Sequence, residues 1–201
     1  MLNFSKKPFF FQQGQTLVEL VVAISIILIG VVSALVLTTA TIRGGKESGM
    51  QVSAANLARE GVEVVRQKRD SNWLKVESNA LPFSQWDDGL KNEKDYTAIA
   101  EFDVSTLEWT LDYNAVTSIE DDSCLLYFQD GIYSHDDTGD ASPFYRLIQT
   151  NELCSNEDIK ASSEACDSGE KIGIQVLSEV RWRLRNSWQS MVFEDHLYNW
   201  K

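Results

Sequence analysis

Gly14-Gln15-Thr16-Leu17-Val18-Glu19-Leu20 opens the segment that decides the fold. Lys6 and Lys7 precede it, and from Leu20 to Leu37 the chain is apolar apart from Ser25, Gly30 and Ser33. Thr38-Thr39-Ala40-Thr41-Ile42 prolongs the run. About 20 helical residues cross a bilayer, so the stretch is long enough to stay in one. A secretory signal peptide has a shorter apolar core, roughly 7–15 residues, followed by a small-residue cleavage site. Ala40 mimics such a site only after a longer core. One carboxylate, Glu19, sits at the mouth of this helix. An ionisable group at such a place is costly and calls for a functional explanation.

The lysines of the leader place Met1–Gly14 in the cytoplasm by the positive-inside rule, a bias moderated by Arg43 and Lys46 on the far side. The chain is then expected to be a single-pass protein of the cytoplasmic membrane with its C-terminal part outside.

The residues Gly14 to Leu20, with the basic leader before them and the apolar run after them, resemble the processing site of type IV pilins and pseudopilins. The resemblance implies that a membrane-embedded prepilin peptidase cuts between Gly14 and Gln15 and that the new amine at Gln15 is methylated. It implies polymerisation with other pilin or pseudopilin subunits on an inner-membrane assembly platform. In that scheme Glu19 meets the positively charged amine at Gln15 of a neighbouring subunit. Pilins usually carry Phe where this chain has Gln15, and many major pilins have a proline within the apolar helix, absent here. The missing proline points to a minor pilin or pseudopilin. Ala58–Val65 and Arg69–Trp73 also resemble minor pilin sequences.

No proline occurs between Pro8 and Pro82, so nothing in that interval forbids a long helix. Gly44, Gly45 and Gly49 weaken it, and a bend or frayed turn is expected over Arg43–Gly49. Met50, Ala54, Leu57, Ala58, Gly61 and Val65 then recur at helical spacing, an apolar stripe. A polar stop is expected near Asp70-Ser71-Asn72. The chain thus divides into a leader (1–14), a transmembrane assembly helix (15–42), an amphipathic helix (43–73) and an extracytoplasmic β domain (74–201).

In the β domain, Pro82 and Asp87-Asp88-Gly89 signal turns. Alternation over Tyr96–Val104 and Leu107–Tyr113 predicts either a tight hairpin or one bent strand. Cys124–Gln129 and Phe144–Thr150 read as short strands. Ile172–Leu184 is the cleanest alternating run, turning at Asn186 and returning over Ser187–Phe193. The fold class is therefore α+β: a long N-terminal helix packed on an antiparallel sheet. Arg181, Arg183 and Arg185 fall on the outward face, which reads first as an ordinary solvated sheet surface; the sharper reading is a basic stripe that docks on an acidic neighbour.

The net charge is −12, and residues 71–180 hold 23 Asp and Glu against 6 Lys and Arg. Such a surface repels phosphate backbones, so no nucleic-acid partner is expected for this region. Three cysteines, Cys124, Cys154 and Cys166, allow three pairings. Cys154–Cys166 is the favoured bridge because it flanks a polar loop; it would stabilise on the order of 3 kcal/mol if unstrained. Cys124, before an apolar run, reads as a buried free thiol in a strand.

His135 lies in an Asp-rich loop that lacks EF-hand spacing, and His196 reads as a surface residue. No zinc spacing, nucleophile elbow, phosphate loop or dinucleotide fingerprint is present, so no metal, no cofactor and no enzymatic activity are expected. The reading is a structural subunit of a type IV pilus or a related secretion or competence pseudopilus. The alternative is a membrane-anchored extracytoplasmic binding module that does not polymerise.

Overall fold

A computed structural model of the protein describes residues 16–90, 97–103, 106, 108–113, 118–156, 158–161, 166 and 170–199. The chain divides into two compact units, Met1–Lys46 and Glu47–Lys201. One helix, α1 (Leu17–Glu77), is followed by eight strands: β1 (Thr97–Asp103), β2 (Glu108–Asp112), β3 (Leu125–Gln129), β4 (Ile132–Ser134), β5 (Asp140–Cys154), β6 (Ile159–Ala161), β7 (Lys171–Leu184) and β8 (Ser187–Tyr198). The arrangement is α+β and pilin-like, a long apolar N-terminal helix with an antiparallel sheet packed against it.

α1 stays helical through all three glycines of Arg43–Gly49, so no frayed turn forms there. A glycine costs a helix about 1 kcal/mol. That is too little to interrupt a helix that needs no new nucleus on either side. The helix also outruns the expected stop near Asp70–Asn72. It ends in a Schellman turn: Asn79 takes a left-handed φ of 60°, Ala80 N–H donates to Lys75 C=O at 2.8 Å and Asn79 N–H to Val76 C=O at 3.0 Å. Pro82 follows and cannot extend it. Asn72 is no surface stop. It is buried, and its Nδ2 donates to the carbonyls of Trp86 and Asp88. The residue that looked like punctuation ties the segment after the helix to the helix itself.

Strand β5 is the hub of the sheet. Along one edge it pairs with β7 from Phe144↔Trp182 to Cys154↔Lys171, and β7 pairs in turn with β8. Along its other edge it takes β3, then β1, then β6. The alternation around residues 96–113 resolves as a hairpin, with β1 pairing β2 from Ile99↔Asp112 to Asp103↔Glu108. Tyr96, Val104 and Leu107 lie outside the described residues. Cys124 is buried and unbridged as expected, but it closes a 3-10 turn (Asp122–Cys124) rather than sitting in a strand.

Within the second unit, the stripe Ala54, Leu57, Ala58, Val62 and Val65 is buried against the inner face of the sheet. One cluster joins Ala54, Leu57 and Ala58 to Leu126, Phe144, Val180 and Trp182. Another joins Val62 and Val65 to Ile148, Ile174, Val176 and Leu197. Each of the Val, Leu, Ile and Phe side chains among them, fully buried, stabilises the fold by about 1.5–3 kcal/mol.

At Gly61 the helix passes close to the sheet. A Cβ there would stand 2.3 Å from Ser178 Oγ, 3.1 Å from Ser178 Cβ and 3.4 Å from Ile148 Cδ1. Ser178 and Ile148 are both fully buried. Gly61→Ala is therefore expected to destabilise by about 1–3 kcal/mol, net of its helix-propensity gain. In a Ser178→Ala background most of that cost should vanish, because the nearest clashing atom is gone. Urea unfolding of the four proteins of the cycle reads the coupling; additive effects would show that Gly61 is not held by this contact.

Candidate functional site: the N-terminal helix

Thr16 starts α1. Its Oγ1 accepts a hydrogen bond from Glu19 N–H at 3.3 Å and its C=O accepts from Leu20 N–H at 3.2 Å. Thr16 is thus the N-cap, and Glu19 is the third helical residue. Thr16-Leu17-Val18-Glu19 has the spacing of a capping box, a signal that the sequence reading passed over. A carboxylate in the first turn also faces the positive end of the helix macrodipole. Among the described residues no hydrogen bond or ion pair engages the Glu19 carboxylate. Gly14 and Gln15 lie outside the described residues.

From Leu20 to Ile42 no residue carries a charge. That length of α-helix rises about 35 Å, more than the ~30 Å hydrocarbon core of a bilayer. The helix is long and apolar enough to cross a membrane, and none of its most apolar window is buried inside the protein. Ile29 and Leu37 remain more than two-thirds exposed. Water is a poor solvent for such a surface; lipid or other apolar helices are good ones.

The hydroxyls in and just after this span make the same point. Ser25, Ser33, Thr38 and Thr41 donate to the carbonyls of Val21, Ile29, Ala34 and Leu37 at 2.8–3.0 Å. Each polar group is closed onto its own helix, as a low-dielectric surrounding demands.

The N-terminus also matches a known family. Residues 10–35 fit the model of the prokaryotic N-terminal methylation motif. The chain carries a type IV pilin signal. The matched stretch contains Gly14, Gln15, Thr16 and Glu19 and continues into the apolar helix. No curated protein and no solved structure matches the chain. The motif marks a type IV pilin-like precursor, and with the apolar helix it points to membrane anchoring, processing by a prepilin peptidase and association with pilin subunits in general terms.

The second unit of this pilin-like chain holds a different set of polar groups. Cys154 and Cys166 form a disulfide with Cα atoms 5.8 Å apart. The Cys124 thiol is pushed up to about 12 by burial and by the nearby Asp121 carboxylate, so it is not a nucleophile at neutral pH. Lys171 Nζ donates to Asp87 and, at 3.1 Å, to Glu152, while lying 5.6 Å from the Trp86 ring centre. This cluster holds the segment after α1 against the start of β7. Among the described residues no three His, Cys, Asp or Glu side chains are grouped to hold a metal ion.

His135 lines a cavity of about 290 Å³ with Glu101, Phe102, Ser134 and Asp136. Its Nδ1 donates to Leu125 C=O at 3.2 Å. Burial, and then the charge of Arg146, pushes it down to about 4 from 6.5. The folded protein keeps His135 neutral where the unfolded chain protonates it, so the unfolded state binds more protons between those values. Stability present above pH 6.5 is therefore lost as pH falls toward 4, by about 2–3 kcal/mol at pH 4.5. His135→Gln should remove that part of the pH dependence. Urea unfolding of both proteins at pH 7 and 4.5 checks this, and an identical pH response would contradict it.

His196 pairs with Glu194 at 3.1 Å. The basic stripe expected from the sequence is only partly free. Arg181 is held by Glu179 and Glu120, and Arg185 sits in the β7–β8 turn rather than on the strand.

Proposed function

We propose that this chain is a structural subunit, a minor pilin or pseudopilin, of a type IV pilus or a related secretion or competence pseudopilus. It inserts as a precursor with Met1–Gly14 in the cytoplasm, is cut between Gly14 and Gln15, and joins other subunits on the inner-membrane assembly platform through its apolar helix. Glu19 then meets the new amine at Gln15 of a neighbouring subunit. The part beyond the anchor lies outside the cytoplasm and has no catalytic task.

The observation that carries this reading is the coincidence of the methylation motif at residues 10–35 with the uncharged stretch Leu20–Ile42 of α1, whose most apolar window has no buried residue among those described. A signal that served anchoring alone would not need an unpaired carboxylate at Glu19. The Cys154–Cys166 disulfide supports export, because such bonds persist in oxidising compartments. The acidic surface is poorly suited to nucleic acid. Shearing surface fibres from cells that express the chain, and blotting for it, tests the proposal. The chain should be present in the fibre fraction; fibres that lack it, from cells that make it abundantly, would overturn the reading.

A further inference from the structure

We infer that Lys171 and Asp87 condense into an intramolecular amide, with Glu152 as the residue that moves the protons. The bond is a modification that the chain makes once, on its own side chains. It goes beyond the proposed function and does not depend on it.

The three side chains come from distant parts of the sequence. Asp87 belongs to the segment after α1, Glu152 to β5 and Lys171 to the start of β7. The fold brings them to one point. Lys171 Nζ donates to Asp87 Oδ2 and, at 3.1 Å, to Glu152 Oε1. Asp87 and Glu152 are 5% and 6% exposed, and the Lys171 side chain is 17% exposed. Trp86 is buried as well, and its ring centre lies 5.6 Å from Nζ.

As an ion pair alone the arrangement is a poor stabiliser, because desolvating buried charges offsets their attraction. It does meet the needs of amide formation. The amine is held against the carboxyl group it would attack, which removes the entropic cost of bringing the two together. A second carboxylate lies within hydrogen-bond reach of the same nitrogen, where it can accept and return a proton. Burial beside Trp86 limits the water that opposes condensation.

The step balances without any co-reactant. The ammonium gives one proton to the Asp87 carboxylate, leaving a neutral amine against a carboxylic acid. Nζ then attacks Asp87 Cγ and the N–C bond forms. Glu152 takes a second proton from Nζ and passes it to the departing oxygen. The Cγ–O bond breaks and water leaves. Of the three protons that begin on Nζ, one stays on the amide and two leave in the water, and Glu152 ends as the carboxylate it was.

The bond joins the segment after α1 covalently to β7. Cys154 faces Lys171 in the β5–β7 ladder, so the amide and the Cys154–Cys166 disulfide close the same end of the sheet. A pull that separates an ion pair does not separate an amide.

Peptide mass spectrometry of the full-length chain, purified from membranes in detergent, tests this. After reduction, alkylation and trypsin, peptide 76–91, which holds Asp87, should be joined to peptide 161–181 through an uncut Lys171. The joined pair should be lighter by one water than the sum of its parts. Lys171→Arg keeps the cation and should leave 76–91 linear. Glu152→Gln keeps an acceptor for Nζ but cannot carry the proton. It should lower the joined fraction at least about tenfold, since a positioned proton acceptor speeds such a step by roughly 10²–10⁴. Wild-type protein whose peptide 76–91 is recovered linear would overturn the inference, even if that peptide has lost water through a ring at Asp88-Gly89. A pair that joins equally in Glu152→Gln would overturn the role given to Glu152.

Discussion

Glu19→Ala protein is expected to insert, to lose its leader and to be missing from fibres, with incorporation reduced at least about tenfold. A charge at a helix centre costs roughly 2.5–3.5 kcal/mol on insertion scales, less toward the interface. Removing the carboxylate therefore makes the helix easier to insert, so lost assembly cannot come from lost insertion. On the proposed reading it comes from a lost partner. The capping geometry offers a competing account, since Glu19 is the third residue of a helix begun by Thr16. An acid in the first turn stabilises a helix by only about 0.3–1 kcal/mol. Glu19→Gln separates the two accounts, because it keeps a capping-box side chain and drops the charge. Exclusion of both variants from fibres supports pairing with a neighbour's amine. Assembly of the Gln variant would reduce Glu19 to a helix-capping residue.

The largest stability effect is expected at Glu60. Arg146 on β5 is completely buried against α1, where burial pulls its guanidinium below its usual range and Glu60 partly offsets the fall. Nη1 donates to Glu60 Oε1 at 2.9 Å, the guanidinium carbon lies 5.8 Å from the Trp109 ring centre, and Nε and Nη2 have no hydrogen-bond partner. Breaking a buried pair by removing one member costs about 3–5 kcal/mol. Glu60→Ala should fall at the low end, about 3 kcal/mol, because the Glu60 side chain is 39% exposed and its field is screened. Arg146→Met should cost less than about 1 kcal/mol or stabilise, since it removes the buried charge and both orphaned nitrogens together. All six tryptophans lie at or beyond Trp73, so their fluorescence during urea unfolding reports this part of the detergent-solubilised full chain. Equal losses in the two variants would show that the pair is a net stabiliser and that this account of it is wrong.

Local signals announced much of this fold. The uncharged run after Glu19 is a composition signal, and it predicts an apolar helix whatever packs around it. The alternation from Ile172 to Leu184 needs only one covered face to become β7, and Ile174, Val176, Ser178, Val180 and Trp182 are all buried. Cysteine position relative to a polar loop favoured the bridge that forms.

What escaped the reading was set by tertiary partners or by short capping signals. Asn72 looks polar and reads as a stop, but two carbonyls twelve or more residues away make it a core residue. Asn79, with Pro82 behind it, was the better stop signal. Asp130-Gly131, both at positive φ, is a two-residue hairpin turn of the kind that joins strands tightly; it predicts the β3–β4 hairpin, which hydrophobic alternation alone did not reveal. Arg146 sits between Phe144 and Ile148 in an inward-facing run and gives no local sign that Glu60, far earlier in the chain, will meet it. At the candidate site, the Gly14–Glu19 spacing was legible because the methylation motif is local in sequence. The free arginines were not separable from Arg181, because ion pairing with Glu120 is a property of the folded sheet.

The mature N-terminus tests the central claim most directly. Mass spectrometry of the full-length chain purified from membranes should find a protein that begins at Gln15, with or without a methyl group on its amine. An intact Met1 would make the helix a plain anchor, and a start near Thr41 would make the segment an ordinary secretion signal; either result would contradict the account.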